Sequence, residues 1–240
     1  MSFVIPCWNE EALLGRTLER LFAAARQLDV PFEVIVADDG SADRTVEIAR
    51  GLGAVVVSCG RRQIAATRNA GAKAAHGDML VFVDADTLVT PEVLQAAVRA
   101  VRGGAIGGGG AVRFDDPVPF YARVLIPILS RLYRATGLAA GCFVFCTREG
   151  FEAVGGFDEG LYVSEECALS VALRRRGRFV QLREAVLTSS RKVRTYSAWE
   201  MLRTLFRMAL RGRRSLRDHR DKEYWYGPRR ADPEHGLRAE

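Results

Sequence analysis

The stretch MLVFVDAD, residues 79–86, is an apolar run of five residues that ends in two carboxylates. Every position from Met79 to Val83 is apolar, which predicts a strand that is buried on both faces. Asp84-Ala85-Asp86 then breaks the strand with a polar turn. Strands of this kind occur in parallel sheets that carry helices on both faces.

The same alternation of apolar strand and amphipathic helix runs through the chain on either side. We predict strands at residues 2–6, 32–37, 54–58, 79–83 and 142–146. We predict helices at 10–27 with Asn9 as N-cap, from 41 to 50, at 63–75, from 90 onward, at 120–136, at 165–176 and at 198–210. The fold class that follows is α/β, a three-layer α/β/α sandwich with a mostly parallel central sheet.

Composition limits the kind of protein that this chain can be. It has 240 residues, of which 48% are hydrophobic and 27% charged, as in a globular protein that buries a sizeable core. No apolar run approaches the ~20 residues of a membrane span. Five scattered cysteines without a CxxC pair argue against both a disulfide framework and a zinc site. Because residues 1–6 lack the pattern of a secretion signal, we expect a cytoplasmic protein.

Positive charge is concentrated at the end of the sequence. The net charge is +6, but residues 174–240 alone hold 19 Lys and Arg against 8 Asp and Glu. We therefore predict a catalytic domain at 1–190 and a basic C-terminal extension at 191–240, helical at first and then loosely ordered. Such an extension suits an anionic membrane surface on the inner face of the membrane, although a solvated basic tail explains it equally well. Nucleic acid is not expected, since no stacking aromatics are interleaved with the arginines.

The edge of the predicted sheet carries three polar clusters. Right-handed crossovers place the carboxyl ends of parallel strands along one edge, where ligands bind. Residues 6–10, 38–41 and 84–86 follow three of these strands. Two carboxylates at i and i+2, as in Asp84 and Asp86, can converge on Mg²⁺ or Mn²⁺, but acids in a turn are more often solvated turn formers. Asp38-Asp39 alone is fully explained by an Asx turn and a helix cap.

Six short motifs in a fixed order distinguish this chain from a generic α/β protein. The motifs are Pro6-Cys7-Trp8-Asn9-Glu10-Glu11, Asp38-Asp39-Gly40-Ser41-Ala42-Asp43, Arg68-Asn69-Ala70-Gly71, Asp84-Ala85-Asp86, Gly155-Gly156-Phe157-Asp158-Glu159 and Glu165-Glu166. Their combination resembles the family 2 glycosyltransferases with the A-type, Rossmann-like nucleotide-sugar fold, over about residues 2–188.

The resemblance implies a nucleotide site in the first two loops. Pro6, Asn9 and Glu10 would contact the base and ribose, and Asp39 would accept a hydrogen bond from the base. The implied donor is a nucleoside-diphosphate sugar, with uridine the commonest base in the family.

The resemblance also implies how the diphosphate is held. Arg68 would face the nucleotide or its phosphates, with Arg61 and Arg62 as further candidates. Asp84 would reach the ribose, and Asp86, together with Asp84, would bind a divalent manganese or magnesium ion.

An acidic pair before a helix supplies the catalytic base in this family, usually through its second member, which corresponds here to Glu166. The usual pair is Glu-Asp, so Glu165-Glu166 departs from it by one methylene and leaves open which glutamate acts. A carboxylate base would deprotonate an acceptor hydroxyl during a single displacement that inverts the anomeric carbon. The acceptor is unspecified, and a lipid-linked one would suit the basic extension.

Two other functions remain open at this point. Residues 80–88 (LVFVDADTL) also look like the nucleophile strand of a haloacid dehalogenase-type phosphotransferase, although the expected glycine is absent and three strand–helix units come first. Alternatively, the pocket binds a nucleotide sugar without turnover, and the acidic pair is only the first turn of a helix.

Overall fold

The computed structural model describes residues 1–115, 131, 133–197, 199–200, 203, 206, 213–218 and 226–227. Its strands are β1 Ser2–Cys7, β2 Glu33–Asp38, β3 Val55–Ser58, β4 Met79–Val83, β5 Thr87–Leu88, β6 Ala105–Phe114, β7 Phe143–Thr147 and β8 Arg178–Thr188. Its helices are α1 Leu14–Ala25, α2 Thr45–Gly51, α3 Ile64–Ala74, α4 Pro91–Arg102, α5 Arg148–Ala153, α6 Glu165–Arg174, α7 Arg191–Thr195 and α8 Arg213–Leu216.

The eight strands form a single mixed sheet in the order β3-β2-β1-β4-β7-β6-β8-β5. The strands β1 to β4 are parallel, as predicted, because a helix between each strand and the next carries the chain back. β7 runs antiparallel to both β4 and β6, and β8 is parallel to β6. The predicted α/β sandwich is confirmed, with its parallel strands on one side and mixed pairing on the other.

Two hydrophobic cores lie on opposite faces of the sheet. One contains Phe3 and Val81 with α1 and α4, and the other contains Val4 and Phe82 with α3 and α6. Alternate residues of the same strands thus enter different cores, which explains why these strands lack a polar face. Gly71 of α3 is needed here because a Cβ would lie 3.3 Å from that of Ala37 and collide with Val4.

Several predicted boundaries are confirmed and others are wrong. The strand at 79–83 and the start of α4 at Pro91, after an extended Thr90, agree with prediction. The expected cap at Asn9 is wrong: α1 begins at Leu14, and Asn9 has a left-handed backbone with φ 50°. The predicted helices at 120–136 and 198–210 lie largely outside the described residues.

The glycine-rich segment contains β6, a strand that was not predicted from the sequence. Residues 107–110 are all glycine, yet Gly107, Gly108 and Gly109 pair with both β7 and β8. A Cβ at Gly107 would lie 2.7 Å from the carbonyl oxygen of Phe145, so the neighbouring backbone packs against the glycine directly.

None of the helices in the described part of the chain is both long enough and apolar enough to cross a membrane.

Candidate active site

The carboxyl ends of β1, β2 and β4 meet at one edge of the sheet. Cys7 pairs with Asp38 at the end of β1 and β2, and Val4 pairs with Phe82 on the other side. The loops that follow these strands contain three of the six motifs, at residues 6–11, 38–43 and 84–86. The structure therefore brings these predicted site segments together.

The first two loops are fastened to each other by hydrogen bonds. The backbone NH of Asn9 donates to Ser41 Oγ over 2.9 Å, and Asn9 Oδ1 accepts from the NH of Ala42 over 2.8 Å. The NH of Glu10 donates to Thr45 Oγ1 over 2.8 Å. Asn9 thus orders the loop pair rather than a helix start.

Asp39 is buried and orders the start of α3. Its Oδ1 accepts the backbone NH groups of Arg61 and Arg62 over 2.7 and 2.8 Å, and its Oδ2 accepts that of Gln63 over 2.9 Å. A carboxylate has about four acceptor positions. Asp39 therefore retains one position for a ligand in the adjoining pocket, where the side chain forms part of the wall.

A pocket of about 70 Å³ opens beside this carboxylate. The Arg62 guanidinium lies over the Trp8 ring, 3.4 Å from its centroid, and donates to the carbonyl of Tyr226 over 3.1 Å. The Tyr226 hydroxyl donates to the carbonyl of Tyr162 over 2.8 Å. The pocket is lined by Pro6, Cys7, Trp8, Asp39, Arg62, Ile64, Thr67 and Tyr226.

Arg68 is fully buried beneath this edge, between three acceptors. It donates to Glu165 Oε1 over 2.6 Å, to Asp84 Oδ1 over 2.9 Å and to the carbonyl of Gly141 over 2.9 Å. Burial favours a lower pKa for Arg68, but Asp84, Glu165 and Glu166 raise it, so the guanidinium stays charged. Arg68 thus faces protein carboxylates and ties the Asp84 loop to α6.

The turn at residues 155–159 fixes the approach to α6. The Asn69 side chain donates to the carbonyl of Phe157 over 3.0 Å and accepts from its NH over 3.0 Å. Gly156 has φ 75°, a conformation that favours glycine. The Phe157 ring packs edge-to-face on Phe82. This motif therefore connects α3 to the chain that leads to Glu165.

The two glutamates at the start of α6 have different surroundings. Glu165 is buried against Arg68, whereas Glu166 is partly exposed and forms no ion pair with a described residue. Burial raises the pKa of Glu165, and Arg68 opposes that rise. Burial and the neighbouring Glu165 raise the pKa of Glu166 to about 7. Glu166 can therefore exchange a proton near neutral pH.

Gly141 and Cys167 lie next to the Glu166 side chain. A Cβ on Gly141 would lie 3.5 Å from Glu166 Cδ and 3.3 Å from an Arg68 nitrogen. The Cys167 thiol lies 3.8 Å from Glu166 Oε1 and 3.3 Å from the Tyr133 hydroxyl. Burial raises the pKa of Cys167 to about 11, so the thiol is neutral and can donate to the carboxylate.

Glu10, in the loop after β1, pairs with Arg191, which was not among the predicted site residues. Arg191 Nη2 lies 2.8 and 3.2 Å from the two Glu10 oxygens, and both side chains are buried. The same nitrogen is 4.0 Å from Asp86 Oδ2. The structure thus places Glu10 against an arginine.

Asp84 and Asp86 offer the oxygen donors that a hard divalent cation prefers. Their side chains are 31% and 17% exposed, so an ion that also binds a diphosphate could reach them. Within the described ranges, no three His, Cys, Asp or Glu side chains converge on one metal position. This donor set fits an ion that takes most of its ligands from phosphate and water.

Comparison with known proteins places this edge in a family. Residues 2–154, more than half of the chain, match the sequence profile "Glycosyl transferase family 2". The chain belongs to glycosyl transferase family 2. This assignment confirms the predicted resemblance and decides against the phosphotransferase alternative.

Relatives of this family 2 chain are longer proteins. The undecaprenyl-phosphate 4-deoxy-4-formamido-L-arabinose transferase of Serratia proteamaculans is 33% identical over 153 residues, which is 59% of this chain and 45% of that protein. The chain spans less than half the length of the curated relatives it matches.

Two solved structures share its fold. A mannosyltransferase of Pyrobaculum calidifontis, in complex with GDP-Man and Mn²⁺, superposes with a TM-score of 0.67 at 22% identity, over 88% of this chain and 64% of that one. The glucosyl-3-phosphoglycerate synthase of Mycobacterium tuberculosis, with Mn²⁺ and UDP, gives 0.60 at 21%, over 87% and 76%.

The profile match ends at residue 154, so several residues of this edge lie beyond it. Glu165 and Glu166 were identified in the sequence as an acidic pair before a helix. Arg191 and Tyr226 were not, because a single arginine or tyrosine in a basic segment carries no distinguishing pattern. Only the fold shows that Arg191 reaches the loops after β1 and β4 and that Tyr226 reaches the start of α3.

Proposed function

We propose that this chain is an inverting glycosyltransferase. It moves a sugar from a nucleoside-diphosphate sugar, with UDP as the proposed nucleotide, to an acceptor hydroxyl. Family membership supports sugar transfer. The observation that carries the mechanism is the contrast between two adjacent glutamates: Glu165 is paired with Arg68, and Glu166 is partly exposed with a pKa of about 7.

Glu166 is the proposed general base. An acceptor hydroxyl is a poor nucleophile until its proton is removed, and a base with a pKa near the working pH does this best. Arg68 keeps Glu165 in an ion pair, so Glu165 is unsuited to accept that proton. The Cys167 thiol lies 3.8 Å from Glu166 Oε1 and helps to orient it.

The donor nucleotide is proposed to bind beside Trp8 and Asp39, with Pro6, Asn9 and Glu10 shaping the first loop. Asp39 has one acceptor position left for an NH of the base, and Trp8 offers an aromatic face. Two proteins of the same fold were crystallised with GDP-Man or with UDP, which supports a nucleotide donor in general.

Asp86 and Asp84 are proposed to hold a divalent metal, manganese or magnesium, at the diphosphate. Such an ion stabilises the charge that develops on the leaving diphosphate. Both structural relatives contain Mn²⁺, which supports this class of cofactor. Asp84 accepts from Arg68 through Oδ1, and its side chain is 31% exposed, so its second oxygen is proposed to bind the ion.

The acceptor is proposed to be lipid-linked and reached from an anionic membrane surface on its cytoplasmic side. Trp199, Arg203 and Phe206 are exposed at a helical spacing that places them on one face. An aromatic and basic face of this kind suits the headgroup region of a membrane. The Serratia relative is named for an undecaprenyl-phosphate acceptor, which is consistent with this choice.

A nucleotide-sugar panel tests the proposed function. The protein is incubated with UDP- and GDP-sugars, with Mn²⁺, Mg²⁺ or EDTA, and released nucleoside diphosphate is measured alongside thermal shift. We expect metal-dependent release with one donor and a thermal shift with its nucleotide. A thermal shift without turnover under any acceptor condition would favour the binding-only alternative.

A further inference from the structure

Three distant segments of the chain meet at the buried guanidinium of Arg191. Glu10 follows β1, Asp86 follows β4, and Arg191 begins α7. Arg191 Nη2 lies 2.8 Å from Glu10 Oε2 and 4.0 Å from Asp86 Oδ2. The guanidinium therefore lies between two carboxylates, one of which is the proposed metal ligand.

The two carboxylates are not equivalent partners of Arg191. Glu10 accepts through both oxygens, whereas 4.0 Å from Asp86 exceeds the ~2.7–2.9 Å of a direct charge-assisted hydrogen bond. The Glu10 side chain is 5% exposed, and that of Asp86 is 17% exposed. Glu10 thus fixes the guanidinium, and Asp86 keeps an approach from solvent.

The backbone around this cluster is fastened on both sides. The NH of Ser189 donates to the carbonyl of Asp86 over 3.0 Å, and the Thr87 and Thr188 hydroxyls are 2.9 Å apart. Thr17 Oγ1 donates to the carbonyl of Ala85 over 2.8 Å. Because the backbone is held, a change in this cluster falls on the side chains of Glu10, Asp86 and Arg191.

We propose that Glu10 is a positioning residue that holds Arg191 away from Asp86 and so keeps the Asp86 carboxylate available to a divalent cation. A buried guanidinium needs an anion. Among the described carboxylates, Asp86 is the only other one within 4.0 Å of it. Without Glu10, Arg191 would close on Asp86 and compete with the cation for the same oxygen.

This inference rests on the proposed metal site. It predicts that substitutions of the two members of the Glu10–Arg191 ion pair have opposite effects on Mn²⁺ binding. Glu10→Gln should weaken Mn²⁺ binding about tenfold, in the range typical of groups that orient a metal ligand. Arg191→Gln should tighten Mn²⁺ binding, because it removes a competing positive charge. The Glu10→Gln/Arg191→Gln variant lacks the Arg191 charge, so the weakening that this charge causes in Glu10→Gln should disappear.

The experiment is a Mn²⁺ titration of the full chain, followed by the EPR signal of the free ion, with no sugar donor present. Asp86→Asn identifies binding at this site. Glu152→Gln is the matched control, since Glu152 is 65% exposed in an ion pair with Arg148, whose side chain donates to the carbonyl of Gly77 at the opposite end of β4 from Asp86. Thermal unfolding of each variant shows whether it is folded. If a single variant does not fold, the double variant, in which two neutral amides replace the ion pair, takes its place.

The outcomes separate this inference from the proposed function. Opposite shifts in the two single variants, with recovery in the double variant, support a positioning role for Glu10. Equal weakening in both single variants indicates a purely structural pair and overturns the inference, while the metal site stands. If Asp86→Asn does not alter Mn²⁺ binding by the wild-type chain, the metal site itself fails, and this inference fails with it.

Discussion

Arg68 Nη1 lies 2.6 Å from Glu165 Oε1, and this contact gives two adjacent glutamates different chemistry. Glu165 is committed to a buried ion pair. Glu166, one residue later, turns its carboxylate to the partly exposed side near Gly141. Substitutions of these two residues should therefore have different effects.

Glu166→Gln should lower kcat by roughly 100-fold to 10,000-fold with donor affinity nearly unchanged, because a general base acts in the transition state. Glu165→Gln should keep most of the turnover but unfold at a lower temperature, since removing one partner of a buried pair costs about 3 kcal/mol or more. Glu166→Asp should retain measurable activity if the pocket adjusts. Steady-state kinetics at saturating donor and thermal unfolding measure both effects. An inactive Glu165→Gln beside an active Glu166→Gln would reverse the assignment.

The pH profile of kcat/KM should report the ionisation of Glu166. A general base must be deprotonated, and the pKa of Glu166 is raised to about 7. Activity should therefore fall about tenfold for each pH unit below 7 and level off above it. In Glu166→Gln the residual rate should lose this acidic limb. A wild-type profile that stays flat from pH 5 to 8 would contradict the assignment.

Stability should depend on Glu166 in the opposite direction. The folded-state pKa of about 7 lies above the usual 4.5, so the favourable contribution of the protonated carboxyl is complete below pH 4.5 and is lost as the pH rises through 7. Glu166→Gln cannot ionise. Its thermal stability, measured relative to that of the wild-type protein, should therefore be higher at pH 8 than at pH 5. Differential scanning calorimetry at these two values checks the sign. A gain that is larger at pH 5 would show that burial does not raise this pKa.

Asp86→Asn should keep the fold and lose metal-dependent turnover. The change is nearly isosteric at a partly exposed position, and it removes one of two carboxylates that face the proposed cation. Activity measured against Mn²⁺ concentration is the test, with exposed Asp29→Asn as the control. Full metal stimulation in Asp86→Asn would remove this residue from the mechanism.

Binding to anionic vesicles should depend on both charge and the exposed aromatic face. Trp199 and Phe206 are 74% and 64% exposed, and residues 174–240 are strongly basic. Trp199→Ser/Phe206→Ser should reduce co-sedimentation, and added salt should weaken binding by screening about 1 kcal/mol per engaged basic residue. Val55→Ser on β3, which is 54% exposed, is the matched control. Equal binding to neutral and anionic vesicles would contradict an electrostatic anchor.

The parallel half of the fold was predictable because it follows from one physical pattern. Residues 79–83 are apolar throughout, so this strand must be covered on both faces. A parallel sheet with helices on both faces is the simplest arrangement that covers it. β6 was not predictable in the same way. Its glycines have no side chain to show a period, and their role is to admit neighbouring backbone, which depends on β7 and β8.

The candidate site was predictable only where local motifs mark it. Asp39 was predicted from a loop that follows a strand and Glu166 from an acidic pair before a helix, although the sequence could not show that Asp39 binds three NH groups of the next loop. Arg68 was expected to face the nucleotide and instead lies buried against Asp84 and Glu165. Long-range ion pairs such as Glu10–Arg191 leave no local trace, because each partner alone resembles an ordinary surface charge.

The contacts of Glu10 with Arg191 and of Arg62 with Tyr226 each join an early residue to one that is synthesised much later. The strands β1 to β4 can pair as soon as they leave the ribosome, but Glu10 must wait for 181 further residues before its partner exists. The boundary expected between residues 190 and 191 falls one position before that partner. All eight strands end by residue 188, so a chain cut after residue 190 would retain every strand of the sheet and lose the arginine that pairs with Glu10.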